Sequence, residues 1–254
     1  MASILDRYGI KEVADVQFYE INASTGEPGK LVLYLDTLKV STIEQTADNV
    51  EAKGGKGNPS LVSWDYNKDI NVTLEDALFS AKSMAIMFGG EKVVKGLAGS
   101  DTSKYSPYHT FKFKDGEASK YTDGSTQTIN GSTFTISNLS FYDANGVLST
   151  DSSVSGPGYV TAKLTVQDSV TIDISNDSFP GTYYVVGDTY ARSDIDGHDD
   201  FFQFVIPKAK VTSENTITME ADGDPSVFNL NLRVLRPADG KMMKLIRYTG
   251  EKTN

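Results

Sequence analysis

Residues 194–200 form a dense acidic cluster with the sequence Asp-Ile-Asp-Gly-His-Asp-Asp. Closely spaced carboxylates are ligands that calcium accepts, and this ion takes six to eight oxygens. An EF-hand loop would place an oxygen ligand at His198, a glycine at the next position and a glutamate at its twelfth, and this chain has none of the three. A hairpin turn explains the cluster without a metal ion. We therefore predict a turn with Asp196-Gly197 at its tip, and the alternative is a calcium site formed by Asp194, Asp196, Asp199 and Asp200.

Other residue combinations that support catalysis are sparse. Residues 54–57, Gly-Gly-Lys-Gly, resemble a phosphate-binding loop only superficially, because the GxxxxGK[ST] spacing is absent and no helix is predicted after the lysine. Neither of the two histidines, His109 and His198, lies near a serine nucleophile elbow or a metal-ligand pattern. The absence of cysteine excludes disulfides and thiolate metal sites. The sequence therefore predicts a protein that is not an enzyme and binds no cofactor.

The polar stretch at residues 46–58 is the clearest candidate for a binding function. It is rich in glycine and lysine, it ends before Pro59, and it has few apolar side chains. A loop longer than about 12 residues in a compact domain is usually functional or disordered. Since strand-like segments flank it, we interpret it as an arm that becomes ordered against a partner, with a flexible surface loop as the alternative. The residues assigned to this contact are Thr46, Asp48, Glu51, Lys53, Gly54, Gly55, Lys56, Gly57 and Asn58.

The charge is distributed unevenly along the chain. The formal net charge of −10 argues against a protein that wraps nucleic acid, because such binding requires Lys and Arg to neutralise phosphates. Residues 233–254, by contrast, hold six basic and two acidic side chains. A basic segment on an acidic body favours head-to-tail contact between identical subunits, and the alternative is a solvated tail. The basic residues assigned to this interface are Arg233, Arg236, Lys241, Lys244 and Arg247.

Strand patterns dominate the elements that position these residues. Apolar and polar side chains alternate at residues 70–74 and again at 228–234, which is typical of strands with one dry face. Three hairpins are predicted, with the paired segments 159–166 and 170–174, 183–190 and 201–206, and 210–220 and 226–235. One helix is predicted at residues 74–88, with Asp76 or Ser80 as its N-cap and Gly89-Gly90 at its end. The predicted fold class is therefore mainly β with one helix.

The composition changes between residues 96 and 157, where Ser, Thr, Gly, Asp and Tyr dominate. Short strand-like segments alternate there with Asp-Gly and Asn-Gly turns. We predict a small inserted β subdomain at 96–157 and a discontinuous main β domain at 1–95 and 158–254. The chain also lacks an apolar run of about 18 residues and a secretory signal pattern at its start, so neither a membrane span nor export is expected.

Two separated segments resemble the tail tube proteins, or major tail proteins, of bacteriophages with contractile or long flexible tails. The first, within residues 39–90, reads AKGGKGNPSLVSWDYNKDINVTLEDALFS. The second, residues 201–236, reads FFQFVIPKAKVTSENTITMEADGDPSVFNLNLRVLR. The resemblance implies a sandwich- or barrel-like β subunit with one flanking helix and a long stacking loop.

The resemblance also implies how such subunits are used. Family members form hexameric rings that stack into the tail tube of the virion, and the tube conducts DNA during ejection without binding it specifically. The implied partners are further copies of the chain and other tail proteins such as sheath, tape measure or baseplate, after synthesis in the host cytoplasm. The stacking-loop role maps to residues 46–58, the helix to 74–88, and the bore to 70–74 and 210–220. The insertion at 96–157 would then lie outside the tube.

Two other functions remain open from the residues alone. A capsid decoration or tail-fibre-associated protein would share the β-rich, Tyr/Ser/Thr-rich composition but would be a stable trimer or monomer. A carbohydrate-binding module would expose aromatic side chains in a groove, and its candidates are Trp64, Tyr105, Tyr108 and Tyr121. Trp64 belongs to an alternating run at residues 61–66, which favours a core or interface position.

Overall fold

The computed structural model describes residues 7–95, 106–149, 152–166, 169–195, 197–215, 217 and 227–249. The chain forms two compact units: unit 1 comprises Met1–Glu91 and Ile172–Asn254, and unit 2 comprises Lys92–Thr171. Strands dominate both units, so the prediction of a mainly β fold is confirmed.

The first six strands are β1 (Tyr8–Ile10), β2 (Asp15–Ile21), β3 (Pro28–Leu35), β4 (Leu38–Lys53), β5 (Ser60–Asp76) and β6 (Glu91–Lys95). The next six are β7 (Tyr108–Phe113), β8 (Thr126–Ile129), β9 (Ser132–Asp143), β10 (Leu148–Ser149), β11 (Gly158–Thr165) and β12 (Ser169–Asp173). The last four are β13 (Thr182–Ser193), β14 (Asp199–Val211), β15 (Phe228–Val234) and β16 (Lys244–Tyr248). Helix α1 (Ala81–Phe88) follows β5, and a 3-10 turn occupies Ala118–Lys120.

Unit 1 is built on one antiparallel sheet with the strand order β3-β2-β13-β14-β15-β5-β4. Two further strands join this path, β1 beside β13 and β16 beside β14. Strand β14 changes partner along its length, because residues 201–205 pair with β16 and residues 209–211 pair with β15. The path ends at β4, which therefore forms an edge of the sheet within the described part of the chain.

The two alternating patterns of the sequence lie side by side in this sheet. Strands β5 and β15 pair directly, with Leu230 opposite Leu74 and Leu232 opposite Val72. The apolar residues at 70–74 of β5 and at 228–234 of β15 are buried, and the polar residues between them are at least partly exposed. Burial of each such aliphatic side chain contributes roughly 1.5–3 kcal/mol. The predicted dry faces are therefore confirmed, and they meet in the core of unit 1.

Helix α1 is shorter than predicted. Residues 74–76 belong to β5 rather than to the helix, and the helix starts only after Ser80, whose side chain accepts a hydrogen bond from the Ser83 backbone N–H in a capping box. Gly89 ends it in the left-handed conformation, with φ of 67°. The predicted cap Ser80 and the predicted end are confirmed. Leu78 lies within the predicted helix span, but it precedes α1 and is exposed.

The three predicted hairpins had different outcomes. The hairpin of β13 and β14 is confirmed, with Tyr190 opposite Phe201. The hairpin of β11 and β12 was wrong, because β11 pairs with β7 and β9 while β12 pairs with β6. In the third hairpin, β14 ends at Val211 and pairs there with β15, and most of the predicted strand and turn after it lies outside the described residues.

Unit 2 contains a five-stranded antiparallel sheet with the order β10-β9-β11-β7 and β8 beside β9. Val160, Ala162 and Leu164 of β11 are buried in its two small apolar cores. This burial explains why β11 pairs within unit 2, since its buried face is covered there. The bounds of unit 2 enclose the predicted insertion at 96–157 and add β11 to it. No helix among the described residues is long and apolar enough to cross a membrane.

Candidate assembly surface on the β4–β5 hairpin

The hairpin of β4 and β5 extends far beyond the core of unit 1. Ile70 is the last buried residue of β5 toward the turn, and from there every residue back to Ser60 is exposed or, at Asp69, partly exposed. At about 3.3 Å per residue, this stretch reaches roughly 33 Å from the core. We call residues 48–66 the arm.

The structure corrects the predicted loop at residues 46–58. Residues up to Lys53 form strand β4, and the connection to β5 is limited to residues 54–59. The polar composition of this stretch suggested a loop, but polar residues also suit a strand that faces solvent on both sides and gains its order from the facing strand. Of the assigned contact residues, Thr46, Asp48, Glu51 and Lys53 lie on β4, while Gly54, Gly55, Lys56, Gly57 and Asn58 form the turn.

The turn closes through its own backbone. Gly54 N–H donates to the Pro59 carbonyl over 3.2 Å, and Asn58 N–H donates to the Gly55 carbonyl over 3.2 Å. Gly55, Gly57 and Asn58 all have positive φ angles, which glycine and asparagine adopt most readily. The glycines that suggested a flexible loop therefore build a tight turn between two long strands.

The two faces of the arm differ in polarity. Directly opposite residues of an antiparallel pair share a face, and Asp48 lies opposite Tyr66, Val50 opposite Trp64, and Ala52 opposite Val62. On the other face, Asn49 lies opposite Asp65 and Glu51 opposite Ser63. We call the face that carries Val50, Ala52, Val62, Trp64 and Tyr66 the apolar arm face.

The apolar arm face is open to solvent. Trp64 is 55% exposed, Tyr66 50%, Val50 52% and Val62 47%. Large apolar side chains that share one exposed face often mark an interaction surface. The sequence contained the signal for this face in the alternation of residues 61–66, but only the pairing of Val50 with Trp64 showed that β4 contributes to the same face.

An irregularity interrupts the hairpin where the arm begins. Thr46 lies opposite Asp69 and Asp48 opposite Tyr66, so Ala47 alone faces both Asn67 and Lys68. This arrangement is a β-bulge with the extra residue in β5. Asn67 has a φ of +50°, and its side-chain amide donates a hydrogen bond to the Asp48 carboxylate over 3.1 Å. We call Asn67 and Lys68, the two residues opposite Ala47, the Asn67 bulge.

The basic C-terminal residues are partly integrated into the sheet of unit 1. Arg233 lies on β15 and donates a hydrogen bond to Asp69 over 3.0 Å. Arg247 lies on β16, bonds the Asp200 carboxylate over 2.6 Å and also contacts the Tyr8 hydroxyl. Arg233 and Arg247 are therefore held by contacts within unit 1. Arg236, Lys241 and Lys244 are exposed, and their role at an interface stays a prediction.

Arginines engage the carboxylates of the acidic cluster. Asp199 accepts two hydrogen bonds from the Arg192 guanidinium, over 2.7 and 2.6 Å, and this contact lowers the pKa of Asp199 below its usual range. Asp200 is buried and bonded to Arg247, and Asp194 lies 3.7 Å from Arg7.

This arrangement bears on the calcium alternative. Asp194, Asp199 and Asp200 each have a different arginine as their partner, and Asp196 lies outside the described residues. Among the described residues, no three acidic, His or Cys side chains are grouped as a metal site would require. The turn interpretation therefore accounts for the carboxylates that the structure describes.

The aromatic residues proposed for a carbohydrate groove are not equivalent. Tyr121 packs against Phe111 at a centroid distance of 5.4 Å and contributes to a core of unit 2. Burial raises the pKa of the Tyr121 hydroxyl, which agrees with this position. Tyr108 is exposed on β7, Trp64 belongs to the arm in unit 1, and Tyr105 lies outside the described residues.

Comparison with known proteins gives one positive result. No curated protein sequence matches the chain. A profile of the YomU/Tube protein family matches residues 8–247, a range that includes the arm and the five basic residues from Arg233 to Arg247. The chain therefore belongs to the YomU/Tube protein family and is a phage tube-type structural protein, which confirms its resemblance to the tail tube proteins of bacteriophages.

Proposed function

We propose that this protein is the repeating subunit of a phage tail tube, assembled with further copies of itself and with other tail proteins in the virion. In this proposal the subunits form hexameric rings, and the rings stack into a tube that conducts DNA during ejection. The observation that carries the proposal is the arm, a long extension of an edge hairpin with an apolar face open to solvent.

The arm needs a partner for two physical reasons. An isolated two-stranded hairpin is at best marginally stable in water, because it buries little apolar surface. An exposed strand edge also promotes pairing with other chains unless it is covered or blunted. Association with neighbouring subunits satisfies both requirements, and head-to-tail contacts of this kind generate closed rings or continuous filaments.

The charge of the chain suits passage of DNA rather than its retention. With a formal net charge of −10, the subunit repels phosphates overall, so a bore formed by such subunits would not hold the duplex. The exposed basic residues Arg236, Lys241 and Lys244 are proposed to contact the acidic body of a neighbour. Residues 46–58 are proposed to reach the adjacent ring, with the arm as the element that carries them.

The first test is negative-stain electron microscopy of the purified protein over a range of concentrations. We expect hollow rings or tubes, because subunits with these complementary surfaces associate without a template once their concentration is high enough. Compact trimers or monomers at every concentration would contradict the proposal and favour a decoration protein.

A second test removes only the arm. Replacement of residues 49–65 by Asn-Gly joins the opposed residues Asp48 and Tyr66 through a two-residue turn, which is the preferred connection for such a pair. We expect a soluble subunit whose far-UV circular dichroism is still that of a folded, mainly β protein and which no longer forms tubes. Lys120→Ala, an exposed site in unit 2, is the control and should assemble normally. Normal tubes from the shortened protein would rule out the arm as the contact.

A further inference from the structure

Strand β5 repeats one sequence pattern on two sides of the Asn67 bulge. Ile70, Val72 and Leu74 alternate toward the core, and Val62, Trp64 and Tyr66 continue at the same two-residue spacing. In a regular strand all six side chains would lie on the same face of the sheet, because side chains alternate with a period of two.

Strand β4 shows that they do not. Gln45 and Ile43 lie opposite Ile70 and Val72, so the odd-numbered residues of β4 share the core-facing side of the sheet. Since β4 has no extra residue at the bulge, its alternation continues into the arm, and Val50 is on the other side together with its partner Trp64. The single extra residue in β5 has therefore reversed the direction of the apolar side chains.

The reversal leaves an apolar arm face on the side of the sheet that is opposite to the core. On the core side, the arm carries Asn49, Glu51, Ser63 and Asp65 instead. An arm that served only to prolong the core of its own subunit would need the reverse arrangement. The Asn67 bulge is stabilised by a residue type that tolerates positive φ and by the bond from Asn67 to Asp48, so this orientation is built into the hairpin.

We propose that the Asn67 bulge directs the apolar arm face onto a second copy of this chain, with Trp64 as the central anchor. This inference rests on the proposed function and specifies which face of the arm makes the contact. Trp64 lies between Val62 and Tyr66 along β5 and opposite Val50 on β4, so it is at the middle of the face. A tryptophan at the centre of an apolar patch is the residue type most often responsible for binding energy at an interface.

Unit 1 itself has a surface that fits this arm. Tyr190, Phe201 and Tyr248 lie opposite one another on β13, β14 and β16, and Phe201 stacks on Tyr248 with ring centroids 5.1 Å apart. We call these three exposed residues the aromatic ladder. Asp188 lies two residues from Tyr190 along β13, on one side of the ladder. Asp199 lies two residues from Phe201 along β14, on the other side.

The complementarity identifies the occupant as a second copy. The turn of the arm carries Lys56 and has no acidic residue between Lys53 and Pro59. Asp188 beside the ladder accepts hydrogen bonds from the neutral side chains of Gln203 and Tyr248, so its negative charge complements Lys56. The apolar arm face and the aromatic ladder are different surfaces of one chain. Their contact is therefore compatible with the head-to-tail association, repeated from copy to copy, that the proposed tube requires.

Two variants that both abolish the bulge provide the test. The pairs that flank the bulge are Thr46–Asp69 and Asp48–Tyr66. Deletion of Lys68 leaves one residue on each strand between these pairs, which gives a regular ladder and keeps Trp64 on its present side of the sheet. Insertion of one alanine between Ala47 and Asp48 leaves two residues on each strand, which also gives a regular ladder but turns the apolar arm face to the core side. Sedimentation velocity measures self-association, and electron microscopy shows its form.

We expect the Lys68 deletion to associate like the natural sequence and the alanine insertion to remain monomeric. Equal association of the two variants, or loss of association in both, would overturn the inference, because the side on which Trp64 lies would then not decide the contact. Monomers from the natural sequence at all concentrations would also overturn it. Closed dimers that the insertion abolishes would support the inference and contradict the tube.

A single substitution tests the anchor. Trp64→Ala should raise the concentration needed for assembly by about 30-fold, the loss typical of a central interface residue. Ser63→Ala is the matched control, since Ser63 is the next residue of β5 and lies on the opposite face. A similar shift for both substitutions, or none for either, would overturn the role of Trp64.

Discussion

The two halves of strand β5 have the same pattern but different environments. In the half nearest α1, Val72 and Leu74 are fully buried against β15. In the arm half, Val62 and Trp64 alternate in the same way and are about half exposed. Alternation therefore identifies a strand with one apolar face, but it does not reveal whether that face is covered by the same chain or by another.

The difference separates two kinds of stabilisation. The buried half of β5 contributes to the folding of unit 1, because its side chains leave water when the chain folds. The arm half can gain the same transfer free energy only on association. Substitutions in the two halves should therefore act on different measurements.

The largest effect on folding is expected from Leu74→Ala in the buried half. Loss of a fully buried leucine leaves a cavity and should lower the free energy of unfolding by about 2–5 kcal/mol. Trp64→Ala should change it by no more than about 0.5 kcal/mol, as at other exposed sites. Urea denaturation at concentrations below assembly measures both. If Trp64→Ala lowered the free energy of unfolding by about 2 kcal/mol or more, as expected for a buried side chain, the arm would be packed within its own subunit.

Two glycines with positive φ extend the comparison to the backbone. Gly89 has φ of +67°, and an added Cβ would lie 2.4 Å from the Phe179 backbone, so Gly89→Ala combines conformational strain with a clash. We expect a loss of about 3 kcal/mol or more in the free energy of unfolding. Gly55 in the arm turn has φ of +83° and open space around it, so Gly55→Ala should destabilise the turn by about 1–2 kcal/mol. The free energy of global unfolding should fall by less, because the arm opens locally without unfolding the core of unit 1. Equal melting temperatures for the two variants would contradict this difference.

A smaller effect, on assembly alone, is expected at the aromatic ladder. Tyr248→Ala removes an exposed ring that stacks on Phe201 and should raise the assembly concentration by about 10-fold, at the lower end of what interface aromatics contribute. Tyr108→Ala, at a more exposed tyrosine in unit 2, is the control. If Tyr108→Ala weakens assembly and Tyr248→Ala does not, the receiving surface is not the ladder.

The smallest effect is expected at the Asp199–Arg192 ion pair. Because Arg192 lowers the pKa of Asp199 in the folded state, the pair contributes stability above the ordinary aspartate pKa of 3.8 and loses it as the pH falls through the lower folded value. Asp199→Asn should therefore slightly lower the melting temperature at pH 6 and converge with the natural sequence in strong acid. Solvent screening keeps the contribution of such an exposed pair small. A gap between the two melting curves that widens below pH 3.8 would contradict the assignment.

Local chemistry accounts for what the sequence predicted correctly. The cap at Ser80 and the end at Gly89 depend on hydrogen bonds and φ angles within a few residues, so they can be predicted from the residues themselves. The β13–β14 hairpin joins two adjacent strands through a short turn, which is also a local event. The pairing of β11 with β7 and β9 depends on segments far apart in the chain, and its prediction from neighbouring segments therefore failed.

The arm shows the limit of sequence reasoning at the candidate site. The polar composition of residues 46–58 suggested a loop, because composition cannot show that β5 pairs with most of them residue by residue. The Asn67 bulge was missed for the same reason. A bulge is a mismatch in count between two strands, and it has no meaning until their register is known.

The sequence by itself determined the secondary-structure class, the ends of α1, the two dry-faced strands β5 and β15, the uneven charge and the family to which the chain belongs. These properties follow from residue types and their spacing along the chain. Only the tertiary structure decided which strands share a sheet, that Val50 and Trp64 lie on one face, and that this face is opposite to the core. Such properties depend on register between distant segments, where a single extra residue at Asn67 reverses the direction of Val62, Trp64 and Tyr66.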